Sequence, residues 1–261
     1  MNTISYKPHI SGMDIPTIDR VPASRPLIWL AQGWSDFRRG WRVSLSYGVI
    51  FAAVGWMLML WARDNAHLTL TLISGFALVA PFLAIGFYSV SSRLENGLDA
   101  GSFLHDLATV RRNSASIGLF ALMLAFILSA WERVSALLVG IFLSGDVVVS
   151  GYFSLGALFD SAHLAFIVAY VVFGLVLAGV VFAISVVSLP MMLDRSVDTV
   201  TAVITSLQAV LRNPLPMLVW AALIAMLTLV GAATALVGLA VLFPVMGHAT
   251  WHAYRDMVEM N

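Results

Sequence analysis

Six stretches of this chain are apolar over nearly the length that crosses a membrane, and short polar segments separate them. A helix needs about 20 residues to cross a hydrocarbon core of about 30 Å, and four of the six stretches reach or approach that length. We therefore predict an all-α fold, a polytopic transmembrane helical bundle of about six spans. The predicted spans are residues 41–62, 67–91, 114–131, 163–189, 215–231 and 233–250.

Two boundaries of these spans leave alternatives open. The third span either ends at Trp131, followed by an outer loop over residues 132–162, or continues through Glu132 and Arg133 to about residue 143. We expect the first arrangement; in the second, both charges would be intramembrane and a functional role would follow. Adjacent side chains on a helix point about 100° apart, so we expect these two to need other partners. Only residues 231–234 separate the last two spans, so one long tilted helix, and five spans, is the alternative there.

The basic residues fall almost entirely on one side of the predicted six-span arrangement. Twelve of the fourteen lysine and arginine residues lie on the side of the N-terminus, and only Arg63 and Arg133 lie on the other. Cytoplasmic loops of membrane proteins are enriched in these residues, so we expect the N-terminus and the C-terminus to be cytoplasmic. A five-span chain would move only Arg255 to the outer side, so charge alone does not decide between the two.

A polar, proline-rich segment over residues 1–26 precedes the first span. It lacks the early apolar core of a signal peptide, so we expect the first span to remain in the mature protein. Its low hydrophobicity predicts a disordered cytoplasmic tail. The remainder, residues 27–258, is predicted to form a single membrane domain.

Amphipathic segments that end in arginine precede three of the spans, over residues 27–39, 103–112 and 197–212. Their apolar stripes have helical spacing and comprise Leu27, Leu30, Trp34 and Phe37 in the first and Val200, Ile204, Leu207 and Leu211 in the third. Each following pair of spans carries a proline, at Pro81, Pro190 and Pro244. We interpret this pattern as three repeated units of an interfacial helix, lying in the headgroup plane, plus a helical hairpin.

The composition supports a membrane protein and limits its chemistry. Hydrophobic residues make up 60% of the chain and charged residues only 11%, with a mean hydropathy of +0.92, whereas about a quarter of a soluble domain is charged. The formal net charge is zero and there is no polybasic run, so we expect no nucleic-acid partner. The absence of cysteine excludes disulfides, thiolate metal sites and cysteine nucleophiles. Familiar catalytic motifs are absent as well, so we expect no enzymatic activity and no cofactor.

Three residues near the end of the sixth span form the best candidate site. His248, His252 and Asp256 recur every four residues and so share one helix face. Two imidazoles and a carboxylate are reasonable metal ligands, and a histidine is also a possible axial ligand of haem. We favour the alternative, in which these side chains extend into the lipid headgroups at a cytoplasmic helix end.

Several strings of the sequence carry a family resemblance. They are WLAQGWSDFR at residues 29–38, SLP at 188–190, LRNP at 211–214, FP at 243–244 and GHATWHAYR at 247–255. Together, over about residues 27–258, they resemble a family of uncharacterised bacterial integral membrane proteins, a domain of unknown function, some of whose members are labelled cytochrome c oxidase subunit I. The resemblance implies a multi-pass protein of the bacterial inner membrane and no established activity.

The oxidase label implies a catalytic role that this chain does not fit. By that resemblance, the catalytic subunit would have twelve spans and about six histidines at mid-membrane depth. This chain has six histidines in total, namely His9, His67, His105, His163, His248 and His252. Most of them fall in predicted tails, turns or interfaces and not at mid-membrane depth. An accessory role beside a respiratory complex remains, since an accessory subunit needs no ligands.

We therefore predict a non-catalytic integral membrane protein that is a scaffold or an accessory subunit. Its possible partners are the lipid bilayer, another membrane protein and a second copy of the chain. The alternative is a small permease or lipid-handling protein, which the repeated hairpins and proline-interrupted spans favour. A third interpretation is a metal-binding or haem-binding membrane protein that uses His248 and His252.

Overall fold

The computed structural model describes residues 16–62, 72, 75, 79–101, 110–111, 113–142 and 163–259. These ranges contain nine α-helices, and the β-structure in them is a single isolated bridge between Ile18 and Val258. The helices are α1 (Arg25–Arg39), α2 (Trp41–Ala62), α3 (Ile85–Glu95), α4 (Ser114–Phe142), α5 (Leu164–Ser185), α6 (Ser188–Asp194), α7 (Thr199–Arg212), α8 (Pro214–Ala233) and α9 (Leu239–Met257).

In the described part of the chain, four stretches of helix are long and apolar enough to cross a membrane. They are Trp41–Ala62, Ser114–Phe142, Leu164–Asp194 and Pro214–Ala233, the third of which combines α5 and α6. In the 18-residue segment of Leu164–Asp194 with the highest mean hydropathy, only 6% is buried within the protein. So large an apolar surface is stable in lipid and not in water. The predicted all-α membrane bundle is confirmed.

The third predicted span continues beyond the end that the sequence suggested. Helix α4 passes through Glu132 and Arg133 and reaches Phe142, so the expected end at Trp131 is wrong. At about 1.5 Å per residue, Glu132 lies about 27 Å from Ser114 along the helix axis, close to the thickness of a hydrocarbon core. The expectation that the two charges need other partners is also wrong, because Arg133 Nε lies 3.3 Å from Glu132 Oε2. The rest of the predicted outer loop, residues 143–162, lies outside the described residues.

The last two predicted spans form a hairpin and not one long helix. The chain leaves α8 after Ala233 and turns through Ala235 and Leu236, whose φ angles are 53° and 67°. The Thr234 hydroxyl closes this turn, since it donates to the Gly231 carbonyl and accepts from the Gly238 amide, both at 2.7 Å. The single tilted helix is therefore excluded.

Helix α9 is the centre of the bundle and not a lipid-facing span. It begins at Leu239, six residues after the predicted start of the sixth span, and fourteen of its nineteen residues are buried. It packs against α1, α2, α3, α6 and α8. Two glycines permit the closest approaches: a Cβ at Gly33 would lie 2.6 Å from the Val245 carbonyl oxygen, and a Cβ at Gly48 would overlap the Ala240 carbonyl. Protein therefore surrounds α9, and its side chains do not need to be uniformly apolar.

Two of the predicted interfacial helices turn apolar side chains away from the bundle. In α7, the small and hydroxylated residues, Thr201, Thr205 and Ala209 among them, are buried, whereas Val200 and Leu211 are 55% and 77% exposed. In α1, the predicted stripe divides, since Leu27 and Trp34 are exposed and Phe37 is buried. Outward apolar stripes of this kind suit a lipid surface or the apolar face of a partner helix. Most of the middle segment, 103–112, lies outside the described residues, as do ten of the 25 residues of the second span, 67–91.

Part of the predicted disordered tail is ordered. Ile18 is buried and pairs with Val258, and the Asp19 amide donates to the Met257 carbonyl at 2.8 Å. The buried Asn213 side chain donates to the Asp19 carbonyl and accepts from the Val21 amide, both at 2.9 Å. For residues 16–26 the expectation of disorder is therefore wrong, and residues 1–15 lie outside the described part of the chain.

Candidate functional site

Polar side chains from four helices meet inside the bundle beside the C-terminal half of α9. Asp36 of α1, Ser44 of α2, Ser91 of α3 and His248 of α9 are all buried, and Asp36, the least buried, is only 5% exposed. His252, one turn after His248, completes the set at the edge of the core. We call these five residues the polar cluster. Buried polar groups in an apolar bundle are costly unless they bond to one another.

The members of the polar cluster form a continuous chain of hydrogen bonds. Ser44 Oγ lies 2.9 Å from His248 Nε2, and His248 Nδ1 lies 2.8 Å from Ser91 Oγ. Ser91 Oγ donates to Asp36 Oδ2 at 2.8 Å, and His252 Nε2 lies 2.8 Å from the same oxygen. The chain runs from the partly exposed His252 to the fully buried Ser44.

This geometry assigns the tautomer of His248. The single proton of the Ser91 hydroxyl is used in the bond to Asp36, so Ser91 accepts a hydrogen bond from His248 Nδ1–H. Nε2 of a neutral His248 is then an acceptor, and the Ser44 hydroxyl donates to it. Both ring nitrogens are therefore satisfied without a charge on the imidazole.

Asp36 carries the negative charge of the polar cluster. Burial works against the carboxylate, but hydrogen bonds from His252 and Ser91 outweigh it and hold the pKa of Asp36 below its ordinary value. Arg39 Nη1 lies 3.9 Å from Oδ1 of the same carboxylate. Asp36 is thus an ionised group held in place by donors from α3 and α9.

Close helix packing brings these residues together. The absence of a side chain at Gly33 lets α1 approach the backbone of α9 at Val245 and Ala249, and Asp36 follows Gly33 by one turn. Gly247 does the same for α3, because a Cβ there would lie 2.6 Å from the Phe87 ring. The glycines let the helices approach closely, and the serines at these contacts supply hydroxyl groups to the polar cluster.

Asp256 belongs to a separate ion pair one turn further along α9. Arg25 Nη2 donates to Asp256 Oδ1 at 2.6 Å, Arg25 Nε contacts Oδ2, and Trp29 Nε1 donates to Oδ2 at 2.9 Å. Burial raises the pKa of Asp256, but these donors outweigh it and leave that pKa below its ordinary value. This pair fixes the start of α1 to the end of α9.

Another set of contacts joins the end of α9 to α3 and α6. Trp251 Nε1 donates to Glu95 Oε2 at 3.0 Å, and Arg255 Nη2 lies 2.9 Å from Glu95 Oε1. The Tyr254 hydroxyl donates to Asp194 Oδ2 at 2.7 Å. Burial and the negative charge of Asp194 raise the pKa of Tyr254, so this hydroxyl stays protonated and remains a donor.

The three residues predicted from the sequence do share the α9 face that their spacing implied, but they have different partners. His248 bonds to Ser44 and Ser91, His252 to Asp36, and Asp256 to Arg25 and Trp29. Within the described ranges, no group of three His, Cys, Asp or Glu residues is placed to hold a metal ion. The geometry gives each predicted ligand a partner within the protein.

Sequence reasoning missed Asp36, Ser44 and Ser91. Asp36 did carry a signal, because it lies at helical spacing from Trp29 and Gly33, on the face of α1 that packs inward. The two serines carried none, since serine is common in membrane helices and bonds readily to its own backbone.

Comparison with known proteins supports a membrane protein and leaves its activity open. A family model described as "Predicted integral membrane protein (DUF2189)" matches residues 68–194. This match confirms the resemblance to a membrane-protein family of unknown function, although among the quoted strings only residues 188–190 lie within it. The chain matches no curated protein and no solved structure.

Proposed function

We propose that this protein is a non-catalytic scaffold or accessory subunit of a membrane assembly in the bacterial inner membrane. The observation that carries the proposal is the polar cluster, in which each of the five side chains bonds to another member and four of them are buried. Groups committed to one another in this way join helices and are not presented to a substrate. The similarity to a family of integral membrane proteins agrees with this role.

Helix α7 offers the surface that a partner would use. Its fourteen residues extend about 21 Å, too short to cross a membrane, and its outward stripe exposes Val200, Leu207 and Leu211. The Asp198 side chain caps the helix by accepting from the Thr201 amide at 2.9 Å, so the stripe is presented on a fixed element. A rigid amphipathic helix is a common docking element for a partner helix.

The test is affinity purification from native membranes in mild detergent, with quantitative mass spectrometry of the proteins that co-purify. We expect one or more membrane proteins in stoichiometric amounts, and we expect Leu211→Gln to reduce their recovery. Leu98→Gln is the matched control, because Leu98 is also an exposed leucine, at 52%, and follows α3 outside both α7 and α1. Respiratory subunits among the partners would identify the assembly. A solitary wild-type protein, or equal loss from both variants, would contradict the proposal.

A second candidate function is a small permease or lipid-handling protein. Irregular turns within the helices favour it: a turn at Ala84 follows Pro81, and a turn at Val186 and Val187 separates α5 from α6 before Pro190. Transporters build binding sites at such interruptions. Liposomes that contain the protein and a fluorescent lipid would measure transfer between the two leaflets. Transfer above that of protein-free liposomes, lost in Pro190→Ala and kept in the helix-start control Pro214→Ala, would support this function, and rates equal to the protein-free value would reject it.

A further inference from the structure

The outward face of α1 carries a shallow, open cleft lined by basic and aromatic side chains of this one helix. Its lining residues are Ala31, Trp34, Ser35, Arg38 and Arg39, and its volume is about 550 Å³. These residues lie opposite Trp29, Gly33 and Asp36, the side of α1 that packs on α9. The cleft therefore faces the surroundings of the protein, while the other side of the same helix is fixed by the polar cluster.

The two arginines of this cleft have N–H donors that remain available for further hydrogen bonds. Arg38 is exposed and forms no ion pair with any residue that the structure describes. Arg39 is held at one edge, where Nη2 donates to the Leu94 carbonyl at 3.3 Å and Nη1 lies 3.9 Å from Asp36 Oδ1, and its side chain is still 54% exposed. A guanidinium group has five N–H donors, so both arginines retain capacity for an acceptor-rich anion.

Apolar and aromatic side chains continue from the cleft in both directions. Leu27 and Ile28, two turns or more before Arg38, are 59% and 43% exposed, and Trp34 is 47% exposed. At the start of α2, the guanidinium of Arg42 lies 5.5 Å from the centre of the Trp41 ring. A surface with arginine at one end, tryptophan in the middle and leucine at the other resembles in its polarity a phospholipid, from headgroup to acyl chain.

We propose that this cleft is a binding site for an anionic phospholipid, whose phosphate is bound by Arg38 and Arg39. Arginine matches phosphate with paired, parallel hydrogen bonds, and Trp34 packs against the glycerol region. The lipid acyl chains lie along Leu27 and Ile28. The charge of the site fits its occupant, because three exposed arginines stand within five residues, Arg38 to Arg42, at the junction of α1 and α2.

The test is native mass spectrometry of the full-length protein in mild detergent, titrated with phosphatidylglycerol or phosphatidylcholine. We expect tighter binding of phosphatidylglycerol, and we expect Arg38→Gln to weaken it about fivefold, the effect of about one arginine at an anionic membrane surface. Arg20→Gln is the matched control, since Arg20 is also exposed and its replacement removes the same charge outside the cleft. Inorganic phosphate at millimolar concentration should not displace the lipid.

A second measurement does not depend on a loss of binding. A benzoylphenylalanine introduced at Ser35, which lines the cleft and is exposed, should form a photo-crosslink to phosphatidylglycerol in nanodiscs. Equal weakening by Arg38→Gln and Arg20→Gln would overturn the proposal in favour of general surface charge. Equal binding of both lipids, or displacement by inorganic phosphate, would overturn it in favour of an unselective or free-anion site.

Discussion

Asp36 is the residue on which the polar cluster depends, because it accepts hydrogen bonds from both Ser91 and His252. Its replacement by alanine leaves the buried Ser91 hydroxyl and the partly exposed His252 without the acceptor that they share. Removal of one partner from a buried charged network typically costs about 3 kcal/mol. We therefore expect Asp36→Ala to lower the free energy of unfolding by about that amount, measured by chemical or thermal unfolding in detergent.

Asp19 provides the control for this substitution. It is an exposed carboxylate near the same end of the bundle, and a surface substitution of this kind usually changes stability by less than about 0.5 kcal/mol. If Asp36→Ala and Asp19→Ala had equally small effects, the polar cluster would not hold α1 against the bundle.

Acid should weaken the fold through Asp36 and Asp256. The native pKa of each lies below the ordinary value of 3.8, so the unfolded chain binds more protons than the native protein and stability rises with pH. Their contribution is fully present above pH 3.8 and is lost as the pH falls through the lower native values. We expect the Tm in detergent to fall as the pH drops below about 4, and to fall less steeply in the double variant Asp36→Asn, Asp256→Asn. Parallel curves for the two proteins would assign the acid sensitivity to other groups.

At the scale of the elements, the contact between α1 and α9 depends on Gly33. A Cβ at this position would lie 2.6 Å from both the Val245 carbonyl oxygen and the Ala249 amide nitrogen, and backbone atoms cannot yield as a flexible side chain does. We expect Gly33→Ala to destabilise the protein by about 1–3 kcal/mol, the usual cost of overpacking, and to lower the Tm.

Gly118 is the matched position for this test, since it also lies within a helix and a Cβ there would have no neighbouring atom within 4 Å. At Gly118, alanine removes the entropic cost of glycine and should stabilise the protein by about 0.5–1 kcal/mol. The two Gly→Ala substitutions should therefore have opposite signs. A neutral Gly33→Ala would mean that α1 does not approach α9 as closely as the structure indicates.

The elements that sequence predicted well are those that face lipid. The spans 41–62 and 215–231 agree with α2 and α8 to within about two residues, because a helix in contact with acyl chains must be continuously apolar. Helix α9 follows another rule. It is enclosed by other helices, so His248 and Thr250 are tolerated there, and hydropathy therefore misplaced its ends. The bond between Asp36 and His252 joins residues 216 positions apart, and no local pattern connects them.

At the scale of the whole molecule, the two ends of the described chain meet. The Ile18–Val258 bridge and the Asp19–Met257 hydrogen bond put residues 16–19 and 257–259 at the same end of the bundle. A chain that starts and finishes on one side of a bilayer has crossed it an even number of times. We therefore expect an even number of crossings and not five. The charge distribution did not decide this question, because a five-span chain would move only Arg255 to the outer side.

The absence of cysteine makes this topology directly measurable, because any introduced thiol is the only one in the protein. We expect Asp19→Cys and Glu259→Cys to react with a membrane-impermeant maleimide from the same side, in inside-out vesicles and not in intact spheroplasts, as the distribution of basic residues predicts. Arg133→Cys should show the opposite pattern. The start of α4 lies beside the end of α9, because Asn113, next to Ser114, bonds to the Met192 and Val197 carbonyls. Arg133 lies about 28 Å from Ser114 along α4, and therefore near the other end of the bundle. Labelling of Asp19→Cys and Glu259→Cys from opposite sides would require an odd number of crossings and would separate two chain ends that the structure pairs.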